Sequence, residues 1–152
     1  MVLEDYYLEH IVLCLSDGLL AQCGIDLDTH RGEIAAGNLS ALCDCPFVLG
    51  SAEDIGGRIG RGLLRSSGVS PVSKATSENV ETLLALCEQG VGACFCPENL
   101  LHTALSPEQL AHLHILPLCP EASYPICFGY LSRSYPWSVL SEFIRIAREQ
   151  TA

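Results

Sequence analysis

The chain has little positive charge. Eight Lys and Arg stand against 18 Asp and Glu, giving a formal net charge of −10 over 152 residues and a sequence pI near 4.7. Phosphate contacts dominate nucleic-acid affinity, so these residues are not expected to bind DNA themselves. Long apolar runs are also missing. None approaches the roughly 18–20 residues of a membrane span, and the opening MVLEDYYLEH has neither the basic nor the apolar region of a secretory signal. A cytoplasmic protein with no membrane partner is therefore expected. Catalytic signatures are absent too: there is no glycine-rich dinucleotide or phosphate loop, no G-x-S-x-G and no H-E-x-x-H. No Ser, Cys or His is placed by motif beside a base, so neither a catalytic residue nor a cofactor is predicted. Nine cysteines are present, but an odd count without a secretory signal argues against a disulfide framework. Cys43-Asp44-Cys45 and Cys94-Phe95-Cys96 are C-x-C pairs, not the C-x2-C of zinc sites, and His112-Leu113-His114 has no third ligand nearby in sequence. Reduced thiols, most of them core, and no metal site are the expectation.

What is present is enough apolar content for one globular core, 49% hydrophobic residues with a mean hydropathy of +0.30. A strand is predicted over 9–15, followed by the polar, Gly-punctuated DGLLAQCGIDLDTHRGEIAAG, read as loop with at most a turn of helix. Asn38 should cap a short helix over LSALCD. Pro46-Phe47-Val48-Leu49 reads as a strand ending in Gly50-Ser51. Ile55, Ile59, Leu63 and Leu64 then stripe a helix that ends at Gly68. Glycines at 56, 57, 60 and 62 weaken that helix by up to ~1 kcal/mol each, so something must pack closely against it.

A strand over 71–75 leads to a helix for which Ser77 is the predicted N-cap. Glu78 and Glu81 suit the positive end of its dipole, Val80, Leu83, Leu84 and Cys87 form its apolar stripe, and Gly90 closes it. Free N–H groups at that helix start, with the hydroxyls of Thr76 and Ser77, make a small binder for a carboxylate or similar anion. Val91 to Cys96 has no polar residue and reads as a strand covered on both faces. A helix pair over 98–113 broken at Ser106-Pro107, strands near 114–118 and 126–131, and a last helix complete the chain. Ser134 is the predicted cap of that helix, Pro136 lies in its first turn, and Trp137, Leu140, Phe143, Ile144 and Ala147 form its stripe. Strands alternating with helices imply an α/β fold, a mostly parallel sheet with helices on both faces.

In this order, Cys45-Pro46-Phe47-Val48-Leu49, the block TSENVETLLALCEQGVGACFCPENLL and the terminal YPICFGYLSRSYPWSVLSEFIRIAREQ resemble the second half of the effector-binding domain of LysR-type transcriptional regulators, from about His10 to Glu149. The resemblance implies a type II periplasmic-binding-protein-like fold, two α/β lobes crossed twice by the chain with a small effector between them. Residues 15–132 would be the second lobe, 9–15 the first crossing, and 134–150 a helix that packs on the first lobe. The family's helix-turn-helix, its linker helix and the first half of the first lobe have no counterpart here. DNA would therefore be contacted only through an N-terminal helix-turn-helix absent from these residues, and the last helix would lack its bed.

Carried over residue by residue, Thr76 and Ser77 match the hydroxyl pair lining the effector cleft. Leu49, Gly50 and Ser51 fall at the carboxyl end of their strand, where open α/β sheets bind ligands. Hydroxyls and N–H groups without a nearby Arg suit a neutral or singly anionic effector. A homodimer is expected through the helix of Ile55, Ile59 and Leu63 and through Trp137, Leu140, Phe143 and Ile144. Two other classes share the fold. A solute-binding protein lobe should carry an export signal, and an enzyme such as a prephenate-dehydratase-like protein should carry a Thr-rich motif, of which Thr76 alone is present.

Overall fold

The computed structural model describes residues 1–132 and 137–151, which fall into two compact units, one of residues 10–122 and one of residues 1–9 and 123–152. The larger unit is built on the second half of strand β1 (Val2–Ser16). Ile11 to Ser16 are all buried, and β1 lies between β4 (Cys94–Pro97) and β5 (Leu113–Pro117), antiparallel to both, with Cys14 opposite Cys94 and Ile115. Strands β2 (Pro46–Gly50) and β3 (Val72–Ser77) form a parallel pair, and a parallel bridge joins Phe47 to Ala93 just before β4. The α/β class holds, but the strands form two sheets: β1 runs antiparallel to β4 and β5, and the parallel pair of β2 and β3 is separate, tied in by that bridge. A strand covered on both faces reads as continuously apolar whichever way its neighbours run, so sequence pattern carried no sign of direction.

Two helices occupy the stretch expected to be loop, α1 (Asp17–Cys23) and α2 (Leu27–Ala35). Each is short and buries only one or two residues, Leu19 in α1, Leu27 and Ile34 in α2, so no long apolar stripe betrays it. The caps carry the signal instead. Ser16 Oγ accepts from Leu19 N at 3.2 Å, Asp26 Oδ1 accepts from Asp28 N at 3.1 Å, and Gly24, at φ 64°, closes α1 in the left-handed region. After Asn38 the chain makes only a 3-10 turn over Ser40–Leu42.

Helix α3 (Ile55–Ser66) follows β2, and at about 100° per residue it presents three faces. Gly56, Gly57, Gly60 and Leu64 face inward and are buried. A Cβ on Gly57 would lie 2.0 Å from the Ser51 carbonyl oxygen, and one on Gly60 would lie 2.3 Å from the Phe95 ring, so the close packing that the glycines demanded is with the end of β2 and with β4. Ile55, Ile59 and Leu63 form a second, partly exposed face, while Arg58, Arg61 and Arg65 form the third. Helix α4 (Val80–Glu88) drives Leu83, Leu84 and Cys87 against Val12, Cys14, Val48, Cys94 and Cys96. Helices α5 (Glu98–Ala104) and α6 (Pro107–Leu110) then lead to β5, α6 opening with a capping box from Ser106 to Gln109.

In the smaller unit, β6 (Ser123–Tyr130) pairs with β1, and α7 (Ser138–Thr151) packs on these strands. Tyr6 Oη donates to the Ala147 carbonyl at 3.1 Å, Arg148 reaches Glu4 at 3.1 Å, and Phe128 meets Phe143 edge-on with ring centres 5.9 Å apart. The terminal helix thus has part of a bed within its own chain, with Ile144 fully covered. The rest of its stripe is not: Trp137 is 59% exposed and Phe143 57%. Ser134 and Pro136, the predicted cap and first-turn proline, lie outside the described residues.

Candidate functional site

The parallel register of β2 and β3 sets Leu49 opposite Thr76 and Gly50 opposite Ser77. Four of the five predicted ligand contacts are therefore brought to one strand end, and Ser51 follows directly on Gly50. Leu49 is buried in the core, so its side chain is turned away from any ligand; Thr76 is exposed, and Gly50, Ser51 and Ser77 are half-buried. Two helices begin just beyond, each capped by a side chain: Asp54 Oδ2 accepts from Gly57 N at 3.1 Å, and Asn79 Oδ1 accepts from Thr82 N at 3.0 Å.

The N-cap of α4 is Asn79, not Ser77. Pairing with Gly50 keeps Ser77 extended as the last residue of β3, and its Oγ instead accepts from Asn79 N at 3.1 Å, closing a small turn into the helix. Its hydroxyl proton stays available to a ligand. Ser51 behaves alike, its Oγ accepting from Glu53 N at 3.3 Å.

Sequence reasoning missed the cation at this end. Arg61, the residue one helical turn after Gly57, extends its Nη2 to the Gly50 carbonyl at 2.9 Å, while its Nε is buried with no partner among the described residues. The expectation of a mouth without an Arg is thus corrected, because α3 runs back along β2 and returns a residue eleven positions on to the strand end. The i, i+4 relation of Gly57 and Arg61 was the available signal, since it sets Arg61 beside the edge of the face that the glycine packs.

The cysteines form no site of this kind. All nine are free thiols, and Cys14, Cys87, Cys94 and Cys96 belong to the core cluster, with Cys14 Sγ 3.8 Å from Cys96 Sγ and Cys87 Sγ donating to the Cys14 carbonyl at 3.3 Å. Hydrogen bonding with Cys14 and Cys87, together with burial, holds the Cys94 thiol well above its ordinary range, so it stays protonated. Among the described residues no group of three or more His, Cys, Asp or Glu side chains is arranged to hold a metal ion, and no helix is long and apolar enough to cross a membrane. A concavity of about 240 Å³ opens elsewhere in the larger unit, lined by His10, Glu98 and Leu118 among others; none of residues 49–51, 76 or 77 lines it. Of the predicted association residues, Ile55, Trp137 and Phe143 are exposed, Ile59, Leu63 and Leu140 are half-buried, and Ile144 is buried.

The family model described as LysR substrate binding domain matches residues 2–152. Among solved structures, the chain is similar to HinK, a LysR family transcriptional regulator from Pseudomonas aeruginosa, with 17% identity and a TM-score of 0.68 over 98% of this chain and 48% of that one. It is similar to the CcmR regulatory domain of Synechocystis in complex with 2-PG, at 12% identity and a TM-score of 0.70 over 99% of this chain and 66% of that one. It is also similar to the CrgA regulatory domain from Neisseria meningitidis, at 17% identity and a TM-score of 0.62 over 99% of this chain and 69% of that one. The chain spans about half the length of the first of these regulators. No match among curated proteins was found.

Proposed function

We propose, from the premise that this chain belongs to the LysR substrate binding domain family, that it senses a small-molecule effector on behalf of a transcription regulator and catalyses no reaction. The observation that carries the site is the side-by-side ending of two parallel strands. Gly50, with Ser51 after it, on one and Thr76 and Ser77 on the other end side by side, at the kind of place where open α/β sheets bind ligands. The effector-bound CcmR domain supports a sensing role for this fold. An effector can bias the regulator only by its differential affinity for two states. In this account the protein is cytoplasmic, contacts DNA through a helix-turn-helix outside these residues, and associates as a homodimer. The partly exposed line of Ile55, Ile59 and Leu63 supports association, since α3 buries its glycines and leaves these apolar side chains uncovered.

The test is effector response in a regulator carrying this domain. Thr76→Val and Ser77→Ala should each raise the effector concentration needed for half-maximal reporter output, while the thermal midpoint moves little, because Ser77 is not the helix cap. Unchanged dose-response curves in both variants would remove the strand end from the site.

A further inference from the structure

Seven of the eight Lys and Arg residues lie within the described residues, and they divide by partner. Arg31, Arg145 and Arg148 meet carboxylates, those of Asp28, of Glu142 and Glu149, and of Glu4 respectively. Arg58, Arg61, Arg65 and Lys74 meet none among the described residues. All four of the latter come from α3 and β3, and Arg61 alone of them is tied to the strand end at Gly50.

Arg61 is the innermost. Among the described residues its hydrogen bond is to a backbone carbonyl and its Nε is buried without a partner. A guanidinium carries five N–H donors in a fixed fork suited to a carboxylate, and a buried donor left without a partner is destabilising. The carbonyl that Arg61 holds belongs to Gly50, which sits opposite Ser77 in the register, so the guanidinium is tied to the same strand end as Ser77. Arg58 and Arg65 extend the positive field along the same helix side without entering the strand end.

We propose that Arg61 is the specificity-determining residue of this mouth and selects an effector bearing a carboxylate, which the guanidinium holds from one side while the Ser77 and Thr76 hydroxyls donate from the other. This rests on the strand end being the effector site. It replaces a mouth indifferent to charge with one that discriminates an organic acid from its neutral amide.

The experiment is a titration of the isotopically labelled 152-residue chain with acetate, glycolate and benzoate and with their three amides, up to about 50 mM so that binding as weak as about millimolar is reached, at ionic strength fixed with sodium chloride. Backbone amide shifts of Gly50, Ser51, Thr76 and Ser77 are followed. At least one acid should give saturable shifts at those amides that its amide does not, and Arg61→Gln should weaken that binding by roughly tenfold or more, the size of a lost charge-assisted hydrogen bond. Arg61→Lys, which keeps the charge and the fold even where Gln does not, should recover part of it. Acids and amides acting alike, an undiminished response in Arg61→Gln, or no response to any acid would each overturn the proposal. Amides that bind at these residues, and are lost in Thr76→Val but not in Arg61→Gln, would leave the mouth as the site and discard only the anion. Saturable shifts confined to other residues and indifferent to Thr76→Val would discard the mouth as well.

Discussion

The two units differ sharply in how much they bury. Among the described residues, the core of buried apolar side chains runs from Ile11 to Ala122 almost without exception, and the smaller unit contributes Ile144 alone. The balance reverses for exposed large apolar residues: Leu3, Leu8, Trp137, Val139, Phe143 and Ile146 belong to the smaller unit, Ile55, Val72 and Leu100 to the larger. β1 shows the same contrast along one strand. Its first residues alternate between half-buried and exposed, whereas Ile11 to Ser16 are buried without interruption. Two strands and a helix enclose too little volume to cover both faces of anything. What this teaches is that the larger unit carries its own stability, while the smaller unit is an unfinished layer that gains from further cover.

The largest expected effect comes from the tightest seat in the larger unit. A Cβ on Gly57 meets the Ser51 backbone, which cannot swing aside, so Gly57→Ala should cost about 3 kcal/mol, the upper end of ordinary overpacking. Gly129→Ala in the smaller unit meets only Leu3, at 3.5 Å, and should cost far less. Chemical denaturation of the two variants checks this, and equal losses would mean that the units do not differ in packing.

Hydrogen exchange probes the same contrast in the native protein. Amides of residues 11–16 and 94–96 should exchange roughly a hundredfold more slowly than those of β6 and α7, since local opening follows buried contact. Uniform protection would show a single cooperative structure.

Association should follow the uncovered side. Trp137 and Phe143 each offer up to ~1.5–3 kcal/mol on full burial, so sedimentation at tens of micromolar, a range set by ordinary weak association, should find a dimer that Phe143→Glu shifts toward monomer. A monomeric intact chain would refute this assignment.

The smallest effect separates two neighbouring polar residues. Asn79→Ala removes the observed cap and should lower the stability of α4 by about 1 kcal/mol, with Ser77→Ala costing clearly less. The reverse order in thermal unfolding would restore Ser77 as the cap.

How much of this was legible depended on the range of the interaction. Helices α3 and α4 were readable because an apolar stripe and a glycine stop agree within a dozen positions, and α7 was readable through its stripe. α1 and α2 were not, because short helices with one or two buried residues leave no period to find and only their caps, Ser16 and Asp26, speak for them. The cap of α4 was placed two residues early because Ser77 and Asn79 are both good capping residues, and only the pairing of Ser77 with Gly50 decides between them. At the candidate site, Thr76, Ser77 and Gly50 could be named from position in the chain, whereas Arg61 could not, since its approach to Gly50 depends on how closely glycines let α3 lie on β2.

The sequence by itself determined the α/β class, the covered apolar strand around Cys94 to Cys96, the glycine-demanded close contact of α3 and the free-thiol state of the cysteines. All of these rest on periodicity, propensity or composition, which are local quantities. Tertiary structure alone decided strand direction, the burial of Leu49, the division into two units and the meeting of Arg61 with the end of β2. Hydrogen-bond direction and side-chain approach across strands are set by which segments come to lie beside each other, and a one-dimensional pattern of apolar and polar residues is the same for either outcome.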